Sequence, residues 1–126
     1  MTADGHTDPP RRTVLIVDDH AVFRSTARAL LEFDGFEVIG EAGDADSGVA
    51  EARRLAPDVV LLDVRLPDTD GFEAAERLLE GGRGPAVILT SSSDDPLYPD
   101  RARRAGARGF VAKHDLSGAA LNALLG

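Results

Sequence analysis

Cysteine and tryptophan are missing from this 126-residue chain, and methionine and tyrosine occur once each. Without cysteine there is no disulfide framework and no thiolate metal site. No apolar run approaches the roughly 20 residues that a membrane-spanning helix needs; the runs that occur have the length of strands. The opening MTADGHTDPPRR lacks the apolar core of a secretory leader, so the expected location is the cytoplasm. Positive charge is also scarce: 14 basic side chains stand against 22 acidic ones, a net charge of −8. Nucleic-acid binders neutralise phosphates with a basic face. The basic cluster present here, Arg101, Arg103 and Arg104, is small and reads as a solvated helix face. Neither direct nucleic-acid binding nor membrane association is expected.

What the chain does contain is regular alternation. Residues 1–11 are polar and proline-containing and read as a disordered tail, leaving residues 12–126 as one domain. TVLIV (13–17), VVLL (59–62) and AVIL (86–89) are continuous apolar runs, as expected of strands covered on both faces. FEVIGEA (36–42) and GFVA (109–112) are weaker and suit sheet edges. Between them lie helical patterns. Phe23, Ala27, Leu30 and Leu31 share one face, and Asp34-Gly35 stops that helix. Asp44 caps a second helix carrying Ala45, Val49, Ala52 and Leu55, which ends at Pro57. Asp70 caps a third, with Phe72, Ala75, Leu78 and Leu79 inward, ended by Gly81-Gly82 and Gly84-Pro85. SSSDDPLYPD (91–100) reads as a long polar loop, with a short fourth helix from about Asp100 to Gly106. A fifth helix closes the chain with Leu121, Leu124 and Leu125. Five strands alternating with five helices predict right-handed βαβ units and a parallel sheet covered on both faces. With the three most apolar strands central, the order is 2-1-3-4-5: a doubly wound, flavodoxin-like α/β fold.

In such a sheet, ligands bind beyond the carboxyl ends of the strands, near the switch in strand order. Strand 1 runs into Asp18-Asp19, strand 3 ends on Asp63, strand 4 on Thr90, and strand 5 is followed by Lys113. The topology therefore gathers three carboxylates, a hydroxyl and an ammonium at one edge. Two like charges 4 Å apart repel by about 4 kcal/mol at an effective dielectric of 20. Lys113 compensates in part, and Mg²⁺, which takes carboxylates plus waters and a phosphate oxygen, would compensate further. No histidine or cysteine joins the cluster in this reading, which argues against zinc. His20 is taken as a partly exposed residue of the first helical turn, and Asp68 and Asp70 as turn and cap residues. Asp18 or Asp19 alone could equally be a helix cap. Together the groups suit phosphoryl transfer to Asp63 as nucleophile, with Lys113 and Thr90 meeting the phosphoryl oxygens.

Four stretches, VLIVDDH (14–20), PDVVLLDVRLPDTDG (57–71), VILTSS (87–92) and GFVAKHDL (109–116), resemble the receiver domain of bacterial two-component response regulators. The resemblance covers nearly all of residues 13–126 and is closest to receivers that precede helix-turn-helix output domains. It implies Asp63 as the phosphoacceptor. It implies Mg²⁺ held by Asp19, Asp63 and the backbone carbonyl of Arg65, with Asp18 on a metal-bound water. Thr90 is the implied switch hydroxyl, Lys113 the phosphate-pairing lysine and Phe110 the switch aromatic, while Pro67 and Gly71 shape the loop after the acceptor. The implied donor is a sensor histidine kinase or a small acyl phosphate. The implied recipient of the signal is a downstream partner or an output domain. Receivers of this kind also form a phosphorylation-dependent homodimer through helix 4, strand 5 and helix 5.

This sequence departs from the pattern in places. His114 stands where a proline often follows the lysine, so a cis peptide is not expected there. Phe110 has no hydroxyl, so a switch must work by packing. Arg65 lies two residues past the acceptor, where an aspartyl-phosphate phosphatase needs a second acid, so a turnover enzyme is not expected. A receiver-like module working without phosphorylation normally lacks one of the acids or the lysine, and all are present. The ending LSGAALNALLG reads as a finished helix and favours a stand-alone receiver over the receiver fragment of a longer transcriptional regulator. Arg65 can reach over the pocket, there either to pair with an acidic neighbour or to screen a phosphoryl group from water. Arg65→Ala is therefore expected to alter the dephosphorylation rate more than the phosphorylation rate, both followed by intact-protein mass; equal rates in variant and wild type would refute this.

Overall fold

The structure is a computed structural model and describes residues 11–126. The tail expected over residues 1–11 lies, apart from Arg11, outside the described residues. Five strands form one parallel sheet: β1 (Thr13–Val17), β2 (Glu37–Ala42), β3 (Val59–Asp63), β4 (Ala86–Ser91) and β5 (Gly109–Ala112). Five helices connect and close them: α1 (Ala21–Phe33), α2 (Ala45–Leu55), α3 (Gly71–Leu78), α4 (Tyr98–Arg104) and α5 (Gly118–Leu125). The strand order is β2-β1-β3-β4-β5, as the apolar patterning requires. Between β5 and α5 a short 3₁₀ turn covers Lys113–Asp115.

Strand periodicity sorts the buried side chains into two layers. Leu15, Val17, Val60, Leu62, Val87 and Leu89 face α2, α3 and α4. Val14, Ile16, Val59, Leu61, Ile88 and Val111 face α1 and α5. All are buried. Both faces of the central strands are thus out of water, which is why their sequences are apolar without alternation.

The helix boundaries follow local chemistry. The Asp44 carboxylate accepts the Ser47 backbone N–H at 2.7 Å, and Asp70 accepts that of Glu73 at 2.9 Å. α2 ends on Ala56, which adopts a left-handed φ of 48° just before Pro57. α4 differs from expectation. It begins at Tyr98, two residues ahead of Asp100, and Asp100 sits in its first turn rather than at its cap. Pro99 is tolerated there because the first turn needs no backbone donor. Tyr98 is drawn out of the loop by burial: its ring lies 5.7 Å from that of Phe72 and 5.4 Å from that of Phe110. Expecting a polar loop over the whole of 91–100 overlooked that aromatic anchor.

α3 sits tightly against the end of β3 because Gly71 has no side chain. Its backbone N–H donates to Val64 O at 2.7 Å. A Cβ at this position would fall 2.2 Å from Asp63 O, a distance at which the backbone must shift. Gly71→Ala is expected to lower stability by about 1–3 kcal/mol, read from urea unfolding midpoints. An unchanged midpoint would show that the β3–α3 junction yields freely.

Candidate functional site

Four of the five strands, β1, β3, β4 and β5, deliver a group to the same edge. Asp18 directly follows β1, and its backbone N–H continues the ladder to Ala42 O at 2.9 Å. Its carboxylate is therefore fixed and fully buried, with 0% exposure. Asp63 is the last residue of β3 and is 3% exposed. Thr90 stands opposite Asp63 in the β3–β4 register and is 1% exposed. Asp19, one step beyond Asp18, reaches into solvent. Lys113 opens the turn after β5 and extends back across the strand ends.

The Lys113 ammonium lies 2.7 Å from Asp18 Oδ2 and 3.5 Å from Asp63 Oδ2, bridging the two buried acids. It also sits 4.3 Å from the centre of the Phe23 ring, whose face favours a cation. The short contact to Asp18 Oδ2 is an ion pair off the hydrogen-bond direction, so that oxygen still lacks an aligned donor. The Thr90 hydroxyl has no hydrogen-bond partner at all. A buried hydroxyl without a partner is costly, and its place beside Asp63 identifies the pocket as a site awaiting a polar ligand.

The two buried acids titrate apart. Burial raises Asp63 to about 6 from an ordinary 3.8, reinforced by the nearby Asp18 charge and opposed by Lys113. Burial also pushes the Asp18 carboxyl up, but the Lys113 ammonium and the His20 N–H groups outweigh it and hold Asp18 below the usual range. Asp18 is the ionised partner of Lys113, and Asp63 is the acid with spare proton affinity.

Two supports were not foreseen. The Arg24 guanidinium donates to the Asp18 backbone carbonyl at 2.6 Å. Arg24 is held by Glu41 at 3.0 Å, and Glu41 also receives Arg28 at 2.8 Å. Arg28 and then Arg24 keep the Glu41 carboxyl below its usual range despite partial burial. Nothing local in the sequence links position 24 to position 41. Asp68, expected in a turn or cap role, caps a helix remote in sequence: its carboxylate accepts the Ala45 and Asp46 N–H groups at 2.9 and 3.0 Å. Those bonds, that from Ala45 foremost, draw its carboxyl below the ordinary range.

The expectation that no histidine joins the acids is corrected. His20 caps α1 in an extended conformation. Its Nδ1 lies 3.0 Å from Asp18 Oδ1 and 3.1 Å from Asp19 Oδ1. One ligand atom each from Asp18, Asp19, His20 and Asp63 lies within 4.8 Å of the others. The missed signal was adjacency: a residue at the N-cap, right after an acidic pair, can fold its ring back over that pair. The remaining expected residues are nearby. The Arg65 backbone N–H approaches Asp63 Oδ1 at 3.3 Å, and its side chain is exposed and makes no ion pair with a described residue. Phe110 is half-buried against Tyr98. Arg101, from the basic cluster, stacks 4.1 Å above the Phe72 ring.

The response regulator receiver domain model matches residues 14–123. The chain is 41% identical over 102 residues to the virulence-factor transcription regulator BvgA of Bordetella pertussis, covering 81% of this chain and 49% of that one. The chain spans about half the length of the curated relatives it matches. Among solved structures, the signal receiver domain of the response regulator NarL from Mycobacterium tuberculosis superposes with a TM-score of 0.83 at 31% identity, covering 94% of this chain and 99% of that one. CheY in the CheX-CheY-BeF3-Mg complex from Borrelia burgdorferi matches at a TM-score of 0.79 and 25% identity, covering 90% and 86%. With a fold, an acidic edge and relatives that agree, this chain belongs to the receiver domain family of response regulators.

Proposed function

We propose that Asp63 accepts a phosphoryl group from a phosphohistidine of a sensor kinase, or from a small acyl phosphate, and that residues 12–126 form the domain whose conformation changes in consequence. The observation that carries this reading is the convergence of buried Asp63, the bridging, partly buried Lys113 and the buried, unpartnered Thr90 hydroxyl. An Asp63 carboxylate oxygen attacks phosphorus; its bond to phosphorus forms as the bond to the donor nitrogen or acyl oxygen breaks. Lys113 shifts its ammonium from Asp18 toward a phosphoryl oxygen, and Thr90 donates to another. As Thr90 moves, Phe110 turns inward and repacks against Tyr98. Water later cleaves the acyl phosphate, so the domain is a phosphoacceptor with slow self-reset and not a turnover enzyme.

The donor set also fits Mg²⁺: hard carboxylate oxygens at one edge, with Asp18 buried and short of aligned donors. Asp19, Asp63 and the Arg65 carbonyl would hold the ion, with Asp18 acting through a water. When bound it supplies positive charge to the transferring phosphoryl oxygens. A neighbour solved with BeF3 and Mg supports this assignment. BvgA is a transcription regulator. By analogy this receiver passes its signal to a downstream protein or an attached output domain, and a phosphorylation-dependent homodimer is one way to do so. The receiver itself makes no contact with nucleic acid in this scheme. It works in the cytoplasm; no helix among the described residues is long and apolar enough to cross a membrane.

Acetyl phosphate with Mg²⁺ is expected to add one phosphate-sized mass to the wild-type protein and none to Asp63→Ala. An equal gain in both would move the acceptor elsewhere; no gain in either would favour a module that works unphosphorylated.

The raised Asp63 pKa has a consequence for the metal-free protein. A carboxyl that holds its proton more tightly when folded stabilises the fold fully below the unfolded value of 3.8, and that contribution is lost as pH rises through about 6. At pH 7.5, ionised Asp63 thus costs on the order of 3 kcal/mol. Asp63→Asn is expected to exceed wild-type stability by about 1–3 kcal/mol at pH 7.5 without metal, and the gap should close near pH 4. A gap of the same size at both pH values in denaturant melts would count against the strained carboxylate.

A further inference from the structure

His20 is the part of the pocket that phosphoryl acceptance leaves unused. Its side chain is 67% exposed, and one ring nitrogen is turned to the acids. Nδ1 touches Asp18 Oδ1 at 3.0 Å and Asp19 Oδ1 at 3.1 Å. The backbone N–H of His20 donates to the same Asp18 oxygen at 2.8 Å, which ties the start of the side chain to the acid it overhangs. Neighbouring ligands of an octahedral ion with bonds of about 2.1 Å stand about 3.0 Å apart. Nδ1 already keeps that spacing from Asp19 Oδ1, and ligand atoms of His20, Asp19 and Asp63 all lie within 4.8 Å of one another. Independently of the cluster, a buried polar atom beside Asp63 calls for a ligand: Thr90 Oγ1, which has no partner.

Donor type then decides which cation fits. Mg²⁺ takes oxygen and gains little from imidazole. Late first-row divalent ions bind imidazole nitrogen well, and more tightly along the series from manganese to copper. We propose that His20 makes this pocket a mixed nitrogen–oxygen site, in which Nδ1 joins Asp19 and Asp63 to bind a late first-row divalent cation in competition with Mg²⁺. The proposal rests on the reading of the pocket as a cation site. The ring coordinates through Nδ1 with its proton on Nε2, so the Nδ1 hydrogen bond to Asp18 and its contact with Asp19 give way to coordination.

The probe is Co²⁺, whose visible absorption reports nitrogen coordination, titrated into the full chain alongside Mg²⁺ followed by calorimetry. Wild type is expected to bind Co²⁺ at least tenfold more tightly than Mg²⁺. His20→Gln, whose side chain offers no imidazole nitrogen, should lose about tenfold or more of the Co²⁺ affinity and change the absorption band, while its Mg²⁺ affinity moves less than about twofold. Urea melts check that the variant folds. An unchanged Co²⁺ affinity in His20→Gln would overturn the proposal. So would an equal fall for both ions, or the same Co²⁺ loss in His114→Gln. Should Co²⁺ binding depend on His20 while wild type fails to bind Mg²⁺, the magnesium assignment falls and the His20 site stands. Should neither ion bind, both fall.

Discussion

A single ammonium shared by two buried carboxylates governs this molecule. Lys113 lies nearer to Asp18 than to Asp63. Burial raises Asp63, while Lys113 and the His20 N–H groups outweigh burial at Asp18 and hold it low, so the two acids part. The position of Lys113 is set by more than charge, since the Phe23 ring supports the ammonium from α1. The ammonium thus answers to two carboxylates at unequal distances, 2.7 Å and 3.5 Å.

The fold exists to make that sharing feasible. Parallel strands bring residues from all along the chain to one edge, and two apolar layers pack the strands that carry it. The Glu41 carboxylate, on the outermost strand β2, locks Arg24 and Arg28 of α1, and Arg24 in turn holds the Asp18 carbonyl. The acid that anchors Lys113 is therefore braced from outside the pocket. On the other side of the sheet, Phe72, Tyr98 and Phe110 pack in sequence and connect α3 to α4 and β5.

Strand order and the five convergent side chains were legible in the sequence because both follow from short-range patterning and one rule of sheet topology. Continuous apolar runs mark central strands, and the residue after each run is at the ligand edge. The rest depended on contacts that periodicity does not encode. Glu41 reads as an ordinary edge-strand acid until α1 is laid over β2. Tyr98 sits among serines, aspartates and prolines, and only the facing rings of Phe72 and Phe110 explain its burial. His20 looked like a solvent-facing first-turn residue because the backbone pattern alone says nothing of ring orientation. Asp68 was recognised as a capping type, but its helix lay on the wrong side in sequence for the pairing to be read.

The Asp68 cap has a mechanical meaning. Through it, the segment following β3 is fastened to α2, and Arg77 adds a 3.0 Å tie from α3 to Asp46. Across the pocket, the chain between β4 and α4 is secured mostly by bonds within itself, such as Ser93 to Ser91 and Leu97 to Asp95, plus one exposed contact of Asp94 with His114. The cleft thus has a fixed jaw and a compliant one. Around its centre, the α2–α3 flank is tied by bonds between elements, and the β4–α4 flank mostly by bonds within one loop.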